Sequence, residues 1–113
     1  MINTKVKPLS VNECFQGRRF KTDKYKAYIK ELLNTLKPMQ LPEPPFRIIF
    51  VFYLSSRNAD IDNPVKPFMD ILQKRYKFND RDVYEMILKK EIVKKGNESI
   101  SWKIESCDLD SLF

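Results

Sequence analysis

The sequence predicts an α+β fold: a small mixed or mostly antiparallel sheet of three to four strands with two helices packed on it. Three observations carry this. Residues 46–54, FRIIFVFYL, form a nearly unbroken apolar run rich in β-branched and aromatic side chains, as suits a strand buried on both faces. Two stretches, 22–37 and 64–76, repeat apolar residues at helical spacing. Residues 83–104 read as two further strands around a turn. At 113 residues the chain suits one domain, 1–113, with a single core.

In chain order, residues 1–9 read as a short strand around Ile2 and Val6, ended by Pro8. Residues 10–21 read as a loop in which Arg18, Arg19 and Lys21 lie among Phe15 and Phe20. Bases interleaved with aromatics suit phosphate contact and base stacking, although two phenylalanines tucked into the core would read the same way. Thr22 caps the first helix, whose apolar face is Tyr25, Ile29, Leu32, Leu33 and Leu36. Pro38 stops it by Lys37. A stiff Leu41–Pro45 connector leads into the 46–54 strand.

The second helix runs from Pro64 to Tyr76, with Asn63 as its N-cap and Val65, Phe68, Met69, Leu72 and Tyr76 facing the core. Residues 77–82 form a charged turn. A strand follows over 83–93, then a hairpin turn at Lys94-Lys95-Gly96-Asn97. The last strand alternates Ile100, Trp102 and Ile104. Lys89, Lys90, Lys94 and Lys95 make a basic cluster that reads most simply as a solvated hairpin tip.

Composition narrows the chemistry. The formal charge is +6 and the isoelectric point about 9.3, which suits a polyanionic partner. There is no histidine. Imidazole acid–base chemistry, His-containing triads and His-ligated metal sites are excluded. Two cysteines, Cys14 and Cys107, are too few for a zinc site and read as reduced thiols of a cytoplasmic protein. No apolar run is long enough to cross a membrane.

The densest chemistry lies in Asp60-Ile61-Asp62-Asn63-Pro64-Val65-Lys66. In an extended chain the side chains of Asp60 and Asp62 point the same way. Carboxylates held that close repel, and a bound divalent cation is the natural compensation. Mg²⁺ suits oxygen ligands supplemented by phosphate and water. Asp80 and Asp82 precede the next strand, and the helix between can return the chain toward its start. A third carboxylate is therefore expected to meet the first two at one edge of the sheet. Three acids and Lys66 in a basic protein fit a metal-dependent phosphodiesterase. The plainer alternative makes Asp62 a favourable acid near a helix N-terminus and pairs Lys66 with Asp70 four residues on.

These pieces resemble the RusA-type Holliday-junction resolvases, a family found widely in phages and prophages. The matching residues are Asp60-x-Asp62-Asn63-x-x-Lys66, Asp70-Ile71-Leu72 and Asn79-Asp80-Arg81-Asp82-Val83, with a similar Ser10-Val11-Asn12 loop and first helix. The resemblance implies a homodimeric nuclease domain that nicks four-way DNA junctions with Mg²⁺, Mn²⁺ serving as a substitute. It implies Asp60, Asp62 and Asp80 as metal ligands and Lys66 as the catalytic lysine. Asn79 stands where many members have the first acid of a pair. Spacing to Val83 favours Asp80, with Asp82 as substitute ligand. Ala59 stands where a basic residue often precedes the motif, and Arg57 is the nearest base. Arg18, Arg19, Lys21 and Arg57 are then the expected DNA contacts. The competing function is a non-catalytic DNA-binding module of the same fold. A nucleotide or sugar-phosphate enzyme is disfavoured, because only Gly17 and Gly96 are available for a phosphate loop.

Overall fold

In the computed structural model, which describes residues 1–18 and 20–108, the chain runs β1 (Ile2–Thr4), β2 (Phe15–Gln16), β3 (Phe20–Lys21), α1 (Asp23–Thr35), β4 (Phe46–Leu54), α2 (Val65–Tyr76), β5 (Val83–Ile92) and β6 (Ser99–Ser106). Short 3₁₀ turns occupy Val11–Glu13 and Asp80–Asp82. The main sheet has the order β1-β6-β4-β5, and β2 pairs with β3 in a separate hairpin. The expected α+β class with a mixed four-stranded sheet is what the chain adopts. No helix of the described residues is long and apolar enough to cross a membrane.

β4 is central because its sequence leaves no face to give to water. Phe46, Ile48, Phe50, Phe52 and Leu54 are buried, and the alternate residues Arg47, Ile49, Val51 and Tyr53 are half-buried. β6 pairs with it antiparallel and brings Ile100, Trp102 and Ile104 opposite Phe52, Phe50 and Ile48. Phe68 of α2 stands edge-on to both Phe50 and Trp102, with centroids 5.8 and 6.2 Å apart. The indole N–H of Trp102 donates to Thr4 Oγ1 at 3.1 Å, which satisfies both buried groups. Thr22 caps α1 as expected, its Oγ1 accepting from the Tyr25 N–H.

Three expectations change. The first strand is only Ile2–Thr4. Pro64, not Asn63, is the N-cap of α2, and no side chain caps it; the preceding residues form tight turns whose carbonyls accept the early N–H groups. The 94–97 turn forms, with the Asn97 N–H donating to the Lys94 carbonyl, but β5 and β6 are not hairpin partners. They flank β4 on opposite sides, because a doubly buried strand needs ladder partners along both edges.

The consequential feature is that β5 runs parallel to β4, with Val83 opposite Phe46 and Ile92 opposite Leu54. A parallel neighbour requires a crossover, and α2 supplies it. The loop carrying Asp60 and Asp62 leaves the C-terminal end of β4. Asp80 precedes the N-terminal end of β5, at the opposite end of the sheet. The expected meeting of these three acids within one chain therefore does not occur, because the 12 residues of α2 span about 18 Å.

The seam between the 11–13 turn and α1 titrates in the alkaline range. Burial, with the nearby Glu13 charge adding to it, pushes the Cys14 thiol up to about 11. Burial likewise pushes the Tyr25 hydroxyl up to about 12 and raises Tyr28 further. In the unfolded chain these groups lose their protons at ordinary, lower values. Above about pH 9 the unfolded state therefore binds fewer protons than the folded state, and stability falls as pH rises toward 12. The urea midpoint at about pH 10.5 is expected to lie below that at about pH 8. Equal midpoints would contradict the buried placement of these groups.

Candidate active site and nucleic-acid interface

The acid loop is a run of tight turns rather than the extended strand expected from the spacing. The Asp60 carbonyl accepts the Asn63 N–H at 3.3 Å and the Asp62 carbonyl accepts the Val65 N–H at 3.1 Å. The loop is fastened from outside on both sides of the acids. Lys90 Nζ donates to the carbonyls of Ala59 and Arg57, at 2.8 and 3.2 Å. The Val11 N–H donates to the Asn63 carbonyl at 2.9 Å. Lys90 is the residue that sequence reasoning placed at a solvated tip. Its register opposite Phe52 puts it on the helix side of the sheet. The available signal was the alternation Met86, Leu88, Lys90, Ile92, in which a lysine holds a position that packing alone would give to an apolar residue.

Asp60, Asp62 and Asp80 are exposed. Among the described residues their carboxylates have no hydrogen-bond or ion-pair partner. Lys66 Nζ lies 3.3 Å from Asp70 Oδ1, with side-chain exposures of 69% and 39%. Such an exposed i,i+4 pair contributes only about 0.3–0.5 kcal/mol, so the ammonium of Lys66 is loosely held.

Asp80 is held in place by α2. The Gln73 side-chain carbonyl accepts the Asp80 N–H at 3.0 Å, while its amide reaches Asp70 Oδ1 at 3.4 Å. The chain reverses between them at Lys77, whose φ of 59° ends the helix in the left-handed region. The Asn79 side-chain carbonyl accepts the Arg81 N–H at 3.0 Å and so caps the 80–82 turn. Asp80, rather than Asp82, lines a shallow groove of about 270 Å³ between α2 and β5, together with Lys66, Asp70, Met69 and Met86. Among the described residues no three acids or cysteines stand close enough to hold a metal ion.

The 10–21 segment is a 3₁₀ turn at Val11–Glu13 followed by a hairpin that pairs Phe15–Gln16 with Phe20–Lys21, not an irregular loop. Gly17, at φ +68°, lies between β2 and β3, a conformation glycine adopts without strain. Phe15 is 45% and Phe20 74% exposed, so the core-packing alternative fails for both. Phe15 instead leans edge-on against Tyr25, and Lys21 Nζ lies 5.8 Å from the centroid of that ring. Arg18 and Arg57 are exposed. Arg19 lies outside the described residues. Cys14 and Cys107 are both free.

The fold and site define a class: a small basic α+β protein whose surface carries exposed carboxylates without partners among the described residues, loosely held bases and an exposed aromatic. The profile of the endodeoxyribonuclease RusA family matches residues 16–101, and the chain belongs to that family. Its members are nucleases that act on DNA. No match was found among curated proteins.

Because Gln73 holds the 80–82 turn and the acids hold nothing, their removal should differ in cost. Gln73→Leu is expected to lose about 1 kcal/mol of stability. Asp60→Asn is expected to stay within about 0.5 kcal/mol of the parent. Urea denaturation checks both, and a larger loss for Asp60→Asn than for Gln73→Leu would contradict the placement.

Proposed function

We propose that this chain is a Mg²⁺-dependent Holliday-junction resolvase of DNA recombination and repair. It acts in the cytoplasm as a homodimer and cuts four-way junctions by paired symmetric nicks. The observation that carries this reading is the Asp60-x-Asp62-Asn63-x-x-Lys66 loop, fastened at both flanks yet leaving its carboxylates without partners, within a chain of this nuclease family.

The donor chemistry fits a hard cation. The candidate ligands are carboxylate oxygens, with no thiolate or imidazole among them. Asp60 and Asp62 would hold the ion, with phosphate and water completing the shell; Asp80, at the opposite end of the sheet in one chain, would serve as third protein ligand only from the second chain of the homodimer. Asp82, half-buried, is the substitute ligand. Bound there, Mg²⁺, or Mn²⁺ in its place, supplies the Lewis-acid charge for hydrolysis of the phosphodiester. Lys66 leaves Asp70 for a non-bridging phosphate oxygen and offsets the charge that builds during attack. Arg18, Arg19, Lys21 and Arg57 hold backbone phosphates, and exposed Phe20 offers a stacking surface for an unpaired base at the branch. Phosphate contacts read shape and charge, so affinity falls steeply with salt.

Asp62→Asn is expected to lower junction cutting by at least about a hundredfold while junction affinity stays within a few-fold of the parent. Lys66→Met should behave alike. Cutting by Asp62→Asn at the parental rate would overturn the metal assignment. Junction binding by the parent protein without cutting in any divalent ion would identify a DNA-binding module instead.

A further inference from the structure

Asp60 and Asp62 lie between two anchors that differ in kind. Downstream, the Val11 N–H holds the Asn63 carbonyl at 2.9 Å, and a backbone N–H needs an acceptor wherever it lies. Upstream, Lys90 Nζ holds the carbonyls of Ala59 and Arg57 at 2.8 and 3.2 Å. A lysine ammonium is ordinarily left in water. Lys90 instead stands in register with Phe52, in the row Met86, Leu88, Lys90, Ile92 on the helix side of the sheet. Its neighbour Lys89 is exposed and pairs with Glu91 at 2.9 Å. Lys90 commits its charge to the main chain of one segment 31 residues earlier. The bond to Arg57 is exposed, so water would serve that carbonyl, and satisfying it alone does not call for a lysine. The helix start supplies no substitute anchor, because Pro64 caps α2 without a side-chain hydrogen bond. Ala59 also packs its side chain on the core. The Lys90 bond thus fixes a peptide unit already held on one side, and Asp60 is the next residue.

We propose that Lys90 is a positioning residue of the metal site: clamped on the carbonyls of Arg57 and Ala59, it fixes the backbone that carries Asp60 and Asp62 and so sets the affinity of the loop for a divalent cation. The inference rests on the nuclease reading above and names a group that acts on its site from behind the ligands. Two effects combine. The clamp restrains a loop whose two carboxylates repel each other when no cation lies between them, and the ammonium, one peptide unit from Asp60, offsets part of that repulsion. A cation then meets a loop that is already ordered, and less of its binding energy goes into ordering it. The two lysines near the acids have separate tasks. Lys66 is exposed on α2 and loosely paired, free to face substrate. Lys90 is half-buried and faces the protein.

Ion binding without DNA tests this directly. Mn²⁺ is the probe, its free concentration read by electron paramagnetic resonance. Lys90→Met keeps an unbranched stem and extends the apolar row. It is expected to retain the parental far-ultraviolet circular dichroism and to bind Mn²⁺ at least about tenfold more weakly. Lys90→Gln, shorter and uncharged, is expected to match it, so the comparison does not hang on one side chain. Lys90→Arg, which restores donors and charge, is expected to recover most of the loss. Amide hydrogen exchange localises the effect: the Asn63 and Val65 N–H groups, bonded within the loop, exchange faster in Lys90→Met, while the amides of β4 do not. Junction affinity is expected to stay within a few-fold of the parent. Equal Mn²⁺ affinity in the parent and in both neutral variants would overturn the positioning role and leave the nuclease reading standing. Lost junction affinity with unchanged Mn²⁺ binding would also overturn it, making Lys90 a phosphate contact. A parent that binds no Mn²⁺ would remove the metal site and the positioning role together. A parent that binds Mn²⁺ yet never cuts would remove the nuclease reading, and the Mn²⁺ comparison would still judge Lys90.

Discussion

The arrangement depends on the pairing of one strand that cannot face water. β4 buries alternate side chains fully and the others by half, so both its edges and both its faces must be occupied. β6 takes one edge antiparallel, and β5 takes the other parallel. The parallel choice forces a helical crossover, and that crossover carries the site. It begins with the acid loop, presents Lys66 and Asp70 along its length, and ends where Gln73 holds the N–H of Asp80. A hydrophobic requirement in the core thereby sets the separation of the candidate ligands.

The second organising feature is a division of labour between groups that hold and groups that are held. Lys90, Gln73, Asn79 and the Val11 N–H spend their hydrogen bonds on backbone atoms of the acid-bearing segments. Among the described residues the carboxylates of Asp60, Asp62 and Asp80 have no such bonds. A loop fixed by its backbone and free at its carboxylates would suit a cation, in keeping with the function proposed above. This is the usual relation of a site to its scaffold, in which local stability yields to function.

Much of this was legible in the residues. The run 46–54 announced the central strand, the Thr22 cap marked the start of α1, and the apolar periodicity placed α2 nearly to the residue. The spacing of Asp60, Asp62 and Lys66 marked the loop that carries the candidate site. What the sequence did not reveal was strand order. The Lys94–Asn97 turn has the composition of a hairpin, yet β5 and β6 are separated by β4, because pairing is decided by the burial needs of β4 and not by the turn. A second expectation fails for a separate reason: β5 runs parallel to β4, so Asp80, expected beside Asp60 and Asp62, lies at the far end of α2 from them. Lys90 was hidden for a related reason. Its role depends on a contact between β5 and a loop more than thirty residues earlier, at which the alternation along β5 hints only by placing a lysine in an apolar position.

The measurement that tests the central claim most directly is cleavage of a labelled synthetic four-way junction beside a matched linear duplex, with Mg²⁺ or with chelator. Paired cuts at symmetric positions, in the junction alone and with metal alone, are the predicted result. Equal cutting of the duplex, or cutting that persists in chelator, would contradict it.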